Sequence, residues 1–242
     1  MRLDIFLVEN KFCETRAKAQ SLIKMGGVFV DDVCILKNGF DVCEGAKIEI
    51  KNLCPYVSRA GLKLEGACKD FGISMEGKTV LDIGSSTGGF TDYCLKNGAK
   101  KVYSVDVGTN QLHHSLRENK KVVVMENTDI RTLTKNDIED VDFIVCDVSF
   151  ISLTKISDKI SEFLEGDCQG IILVKPQFEC GKKIAKNFRG VIKDEKIHKI
   201  VLENIKTDFK NKGICVEKMS TSKIKGGDGN VEYCLLIKKN RQ

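Results

Sequence analysis

Apolar residues follow two different rhythms along this chain. Over about the first fifty positions they are spaced for one-sided helices. Leu3, Phe6 and Leu7 form one stripe, and Ala19, Leu22 and Ile23 form a second that stops at Met25-Gly26-Gly27. Val28-Phe29-Val30 with Asp31-Asp32, and Lys47-Ile48-Glu49-Ile50 entered through the turn signal Glu44-Gly45, read as short strands. The pattern predicts a small α+β unit. Pro55, within Asn52-Leu53-Cys54-Pro55-Tyr56, marks its end, because a proline drives the preceding residue out of the helical region.

Beyond that boundary, short bare apolar runs alternate with helical stretches. The runs are Thr79–Ile83, Lys101–Val105, Val122–Met125, Phe143–Cys146, Ile171–Val174 and Tyr233–Ile237. β-rich segments without polar alternation, separated by helices, predict a parallel sheet covered on both faces, a doubly wound α/β domain. The expected division is a small domain over 1–53, a linker over 54–59 and a Rossmann-like domain over 60–242. A chain of 242 residues is long enough for both. There is no internal repeat and no low-complexity segment.

Composition narrows the class. With 39 Lys+Arg against 34 Asp+Glu, the net charge of +5 does not by itself announce a polyanionic partner. The distribution says more, since Lys175 to Lys199 holds eight basic and three acidic residues, including Lys183. That stretch is the expected phosphate-facing surface. Eleven cysteines would suit a disulfide scaffold in a short secreted chain, but MRLDIFLVEN is not a signal peptide, so a cytoplasmic, reducing location is expected. No two cysteines lie closer than nine positions, so the close pairs of structural zinc sites are missing and no metal is expected. No apolar run approaches the length of about 18 residues that a membrane span needs.

The sharpest local signal is Asp82-Ile83-Gly84-Ser85-Ser86-Thr87-Gly88-Gly89-Phe90, a strand end running through a Gly- and Ser-rich turn into a helix. Glycines let the backbone pass close to a ligand at the carboxyl edge of a doubly wound sheet. Neither GxGxxG nor GxxxxGK[ST] is present, which argues against a nicotinamide oxidoreductase or an NTP site. The segment resembles the S-adenosylmethionine motif of Rossmann-like methyltransferases. That resemblance implies that Asp82 orients the loop and that Gly84, Ser86, Gly88 and Gly89, with Phe90 behind them, leave room for the methionine moiety. Asp106 ends the next strand, where an acid can accept hydrogen bonds from both ribose hydroxyls of an adenosine cofactor. Asp129, after the third strand, is the candidate for the adenine edge.

Methylating a ribose hydroxyl requires oxygen, methyl carbon and sulfur nearly in line and a base for the hydroxyl proton. Asp147 and Lys175 stand at the ends of the fourth and fifth runs, and a lysine closing a buried apolar run is unusual because burial penalises its charge. Asp147-Val148-Ser149-Phe150 is not the Asn/Asp-Pro-Pro-aromatic pattern of amino methyltransferases. Four segments, Val57–Leu64, Asp147–Phe150, Val174–Glu179 and Gly226–Tyr233, resemble the TlyA (hemolysin A) family of ribosomal RNA 2'-O-methyltransferases. The FtsJ-type Lys-Asp-Lys-Glu tetrad of that family falls on Lys63, Asp147, Lys175 and Glu232. The resemblance implies Lys175 as the base, held partly deprotonated by burial and by the like charge of Lys63, with Asp147 and Glu232 orienting lysines and ribose and Lys63 fixing the substrate.

The amino-terminal unit, through Arg2-Leu3-Asp4, Thr15–Ala19 and Gly27–Asp31, is similar to the S4 RNA-binding domain. Membership implies that Arg2 and Arg16 face RNA, although Glu9, Glu14, Asp31 and Asp32 leave the unit electrically neutral. Arg59 in the linker is expected to contact the RNA backbone. The partner implied is ribosomal RNA or a ribosomal subunit, bound by a monomer, with the target nucleotide extruded from its stack. A chain starting at Met1-Arg2-Leu3-Asp4 looks like the shorter family type, confined to a cytidine of large-subunit RNA, with the small subunit as the wider option. Two other classes stay open at this point: a hemolytic or pore-forming protein, which the absence of a long apolar or amphipathic segment disfavours, and a non-catalytic RNA-binding assembly module.

Overall fold

Helices α1 (Leu3–Glu9) and α2 (Arg16–Lys24) open the chain. Thr15 caps α2, its side chain accepting from the Lys18 amide at 3.2 Å. Gly26, at φ +76°, takes the left-handed conformation that lets the chain leave the helix sharply. A three-stranded antiparallel sheet follows, with β1 (Val28–Val30) between β2 (Val33–Cys34) and β3 (Ile48–Ile50). Asp31 and Asp32 are not strand residues. They form the hairpin turn between β1 and β2, both in the left-handed region (φ 47° and 64°) that short polar side chains tolerate and tight hairpins require. Leu3, Leu7, Ala19, Ile23, Val28 and Val30 close a small core.

A computed structural model describes residues 1–51, 54–188 and 190–240, apart from the side chains at positions 17, 182 and 183. It divides into two compact units, Met1–Arg59 and Ala60–Gln242. The expected boundary between 53 and 54 adjoins residues 52 and 53, which lie outside the described residues.

The second unit begins with α3 (Ala60–Phe71), which buries Leu64, Ala67, Cys68 and Phe71 at helical spacing. Then come β4 (Thr79–Ile83), α4 (Gly89–Lys96), β5 (Lys101–Val105), α5 (His114–Arg117), β6 (Val122–Met125), β7 (Phe143–Cys146), α6 (Ser157–Phe163), β8 (Gln169–Val174), α7 (Pro176–Glu179), α8 (Lys182–Asn187), α9 (Glu195–Asn211), β9 (Ile214–Thr221) and β10 (Tyr233–Lys239). The strands form one sheet in the order β6-β5-β4-β7-β8-β10-β9.

The five strands from β6 to β8 are parallel, as the bare apolar runs predict. The sheet as a whole is mixed, however. β9 and β10 form an antiparallel pair joined through the loop 222–232, and β10 lies antiparallel to β8. Strand order reverses between β4 and β7, so the crevice beyond their carboxyl ends is where a ligand can enter between diverging loops.

Candidate active site

The segments that follow β4, β5 and β7 meet at that crevice. Gly84 directly follows β4 with φ +80°, and a Cβ there would stand 3.1 Å from the Asp147 carbonyl oxygen and the Val148 Cα. The glycine thus lets the loops after β4 and β7 close on each other, which a side chain would prevent. Gly88 caps α4 at φ +93°, where a Cβ would run into Leu112 and Leu116. Gly89 and Phe90 are buried behind the loop. Beside it lies a cleft of about 540 Å³, lined by Gly84, Ser86, Asp106, Asp129, Asp147 and Ser149 among others. That volume suits a small-molecule cofactor.

The carboxylates around the cleft differ in role. Asp106 accepts from the Ser86 amide at 2.8 Å and from the Gly108 amide at 2.7 Å, which fixes its plane and leaves lone pairs for a ligand. Asp129 caps the 3-10 turn Ile130–Thr132 and is held by the Arg131 guanidinium, Nε lying 3.0 Å from each carboxylate oxygen. Arg131 was not singled out in the sequence and lines the same cleft. Glu126 is another such residue. Its carboxylate accepts from the amides of Asn110, Gln111 and Leu112 at 2.7 to 2.9 Å and from Arg117, which ties down the loop after Asp106 and holds the carboxyl at about 2.

Asp82 does not line the cleft. It is fully buried beneath the glycine loop, where Thr91 Oγ1 donates to it at 2.6 Å and lies 2.7 Å from Ser104 Oγ. One of its oxygens has no partner. Burial, opposed by the Thr91 hydrogen bond and reinforced by the negative charge of Asp147, pushes the carboxyl up to about 7 from the usual 3.8. Between those values the unfolded chain has released this proton and the folded chain has kept it, so stability falls as pH rises through the interval. The Asp82→Asn variant is expected to lose that component. The wild-type-minus-variant difference in unfolding free energy, measured with urea, should decline by about 1.4 kcal/mol per pH unit through this window and level off above it. A difference that is flat from pH 5 to 8 would contradict the assignment.

The four tetrad positions come together as two ion pairs. Lys63 Nζ on α3 lies 2.5 Å from Glu232 Oε2, with side chains 11% and 2% exposed. Lys175 Nζ lies 2.7 Å from Asp147 Oδ1, with side chains 9% and 13% exposed. Each lysine therefore faces a carboxylate. The β10–β8 register explains the convergence: Tyr233 pairs with Val174, so Glu232 and Lys175 leave adjacent strands at the same edge. Gly226 packs on Glu232, where a Cβ would stand 2.5 Å from Oε1. Asn230, 1% exposed, accepts from the Ile192 amide at 2.9 Å and donates to the Gly190 carbonyl at 2.8 Å, anchoring the loop that delivers Glu232.

Phe150 is a residue that sequence reasoning passed over. It adopts φ 65° and is 92% exposed, its ring 5.0 Å from the Phe178 ring at the rim of the cleft. A bulky residue in the left-handed region and in water is costly unless it has a use.

The amino-terminal unit holds Arg2 and Arg16 in one cluster around Asp4, whose carboxylate is fully buried. Arg2 Nε donates at 3.0 Å, Arg16 Nε at 2.9 Å and Gln20 at 2.9 Å. The Arg2 guanidinium holds the Asp4 carboxyl far below the usual carboxylate range, against the opposing effect of burial. Arg59, half-buried, is the last residue of this unit. Lys183 lies on α8, with its side chain outside the described residues. Among the described residues no group of side chains could hold a metal, and no helix is long and apolar enough to cross a membrane.

Comparison with known proteins fits this geometry. The FtsJ-like methyltransferase family matches residues 56–239, and the S4 domain matches residues 1–48. Hemolysin A of Brachyspira hyodysenteriae is 42% identical over 96% of this chain and 98% of its own. The 23S rRNA (cytidine-2'-O)-methyltransferase TlyA of Campylobacter jejuni is 38% identical over 99% of this chain and 100% of its own. A solved structure described as a candidate hemolysin from Streptococcus thermophilus superposes with a TM-score of 0.78 at 38% identity, covering 100% of this chain and 89% of that one.

Proposed function

This chain belongs to the FtsJ-like methyltransferases, in the S4-bearing TlyA and hemolysin A group, and from that membership we propose that it methylates the 2'-oxygen of a cytidine in ribosomal RNA. S-adenosylmethionine is the donor in this reading and large-subunit RNA the favoured target, as the name of the Campylobacter relative suggests. The protein acts as a cytoplasmic monomer on the RNA or the subunit. The observation that carries the reading is the pair of buried lysine–carboxylate contacts at the sheet edge beside the cleft.

The cleft fits the cofactor on its own evidence: a backbone cradle at Gly84 that a Cβ would fill, and an Asp106 carboxylate already oriented by two amides. When bound, S-adenosylmethionine supplies an electrophilic methyl group on a sulfonium. Asp106 holds its ribose, Asp129 with Arg131 borders its adenine, and Ser86, Gly88 and Gly89 leave room for its methionine end. Lys175 takes the proton from the substrate 2'-hydroxyl, and Asp147 neutralises the ammonium that results. Lys63, oriented by its ion pair with Glu232, holds the substrate ribose or its phosphate. The exposed face of Phe150 offers a stacking surface for a base drawn out of its helix.

Arg2 and Arg16 keep about half of their side-chain surface exposed, with Nε and Nη2 of Arg2 and Nε of Arg16 tied to Asp4, so the N–H groups not used on Asp4 can take RNA phosphates. Arg59 and the basic segment that includes Lys183 are assigned to the same task. The test is transfer of label from methyl-labelled S-adenosylmethionine to ribosomal RNA, run beside an erythrocyte-lysis assay. Label in RNA without lysis is expected, and lysis without label would move the assignment to the hemolytic class.

A further inference from the structure

Asp147 supplies Lys175 with a counter-charge but does not fix its amine. The 2.7 Å contact between Lys175 Nζ and Asp147 Oδ1 lies off the line of a good hydrogen bond. The well-formed hydrogen bond of Lys175 runs to Ser149 Oγ, also at 2.7 Å. Ser149 sits two residues beyond Asp147, is exposed, and lines the cofactor cleft, whereas Lys175 is 8% exposed. The Phe178 ring stands 5.8 Å from the same nitrogen, an apolar wall with no acceptor lone pair.

We propose that Ser149 is a positioning residue that aims the lone pair of Lys175 at the substrate hydroxyl. The inference rests on the reading of Lys175 as the base. A neutral lysine amine carries two N–H bonds and one lone pair at three staggered positions, and it turns freely about Cε–Nζ unless acceptors hold it. Ser149 Oγ takes one N–H, and the charge of Asp147 draws the second. The lone pair is left at the third position, where the substrate 2'-hydroxyl presents its proton. That proton passes to Nζ as the 2'-oxygen forms its bond to the methyl carbon and the methyl–sulfur bond breaks, leaving a neutral thioether and a lysine ammonium facing Asp147. The ammonium then returns its proton to water. With Ser149 absent the base keeps its charge partner but loses its orientation, and misplacement on the order of 1 Å can cost about 100-fold in rate.

Ser149→Ala, Ser149→Thr and Lys175→Ala are measured beside wild type by single-turnover and steady-state methyl transfer to ribosomal RNA. Ser149→Ala is expected to lower kcat by about 10- to 100-fold, with the melting temperature unchanged and with any change in KM for S-adenosylmethionine smaller than the fall in kcat, since Ser149 also borders the cleft. Ser149→Thr, which keeps the hydroxyl, should restore kcat to within about threefold, an expectation from the same orientation argument. A Ser149→Ala enzyme within about twofold of wild type, while Lys175→Ala is inactive, would overturn the proposal and leave the assignment of the base intact. So would a Ser149→Thr enzyme as slow as Ser149→Ala, or a rise in KM for S-adenosylmethionine without a fall in kcat. Full activity in Lys175→Ala would instead remove the underlying reading.

Discussion

Replacing Lys175 by alanine is expected to lower kcat for methyl transfer by about 10²- to 10⁴-fold, the usual contribution of a positioned general base. Cofactor affinity should hold, because Lys175 is not among the residues lining the cleft. Lys175→Arg sharpens the test. An arginine keeps the positive charge beside Asp147 but does not give up its proton in proteins, so it can pair with the carboxylate and cannot act as a base. If Lys175 only balanced the charge of Asp147, the arginine variant would retain most activity. The base assignment requires it to fail as fully as alanine does. Equilibrium binding of S-adenosylmethionine to each variant separates lost chemistry from a collapsed cleft.

The second large effect is expected at the other ion pair, and it separates stability from activity. Glu232 is 2% exposed and Lys63 11%, so Glu232→Leu strands an ammonium in a nearly closed site. Breaking a buried pair from one side typically costs about 3–5 kcal/mol. Replacing both members by apolar residues of similar size removes the stranded charge as well. The double variant Lys63→Met, Glu232→Leu should therefore recover much of the loss, with a coupling of about 0.5–3 kcal/mol in a double-mutant cycle read from denaturant midpoints at constant m. Activity should not recover with it. A double variant that regains turnover along with stability would show that the pair is structural support and not part of the site.

How much of this was legible in the sequence differs from element to element. The parallel strands were, because a strand buried on both faces must be mostly apolar, as β7 is throughout and β4 is apart from Thr79 and Asp82. β9 was not. It forms the outer edge of the sheet, and its Glu217, Lys218 and Met219 are exposed, so its apolar signal is diluted by the charges that keep an edge from pairing with another chain. The reversed direction of β10 follows from that missing neighbour, since a hairpin partner has to be recognised before its sense can be assigned.

The cofactor loop was readable because glycine spacing at a strand end is a local signal. The tetrad was not local. Lys63 and Glu232 lie 169 positions apart, and only family resemblance connected them before the contact from α3 to the residue that precedes β10 did. Asp4 shows the same limit in the smaller unit. It sits between apolar residues on α1, and of the three side chains that make its burial tolerable Arg2 is near in sequence while Arg16 and Gln20 are 12 and 16 positions away. The left-handed turn at Phe150 carries no compositional warning, since it does not fall on glycine, asparagine or aspartate. The Ser149–Lys175 bond depends on where two strand ends meet in space, which spacing along the chain does not reveal.

The measurement that bears most directly on the central claim is mass spectrometry of nucleosides from ribosomal RNA incubated with this protein and S-adenosylmethionine. The account predicts 2'-O-methylcytidine, formed by wild type and missing with Lys175→Ala and Lys175→Arg. A methyl group carried on a nucleobase, or 2'-O-methylcytidine formed equally well by the Lys175 variants, would contradict it.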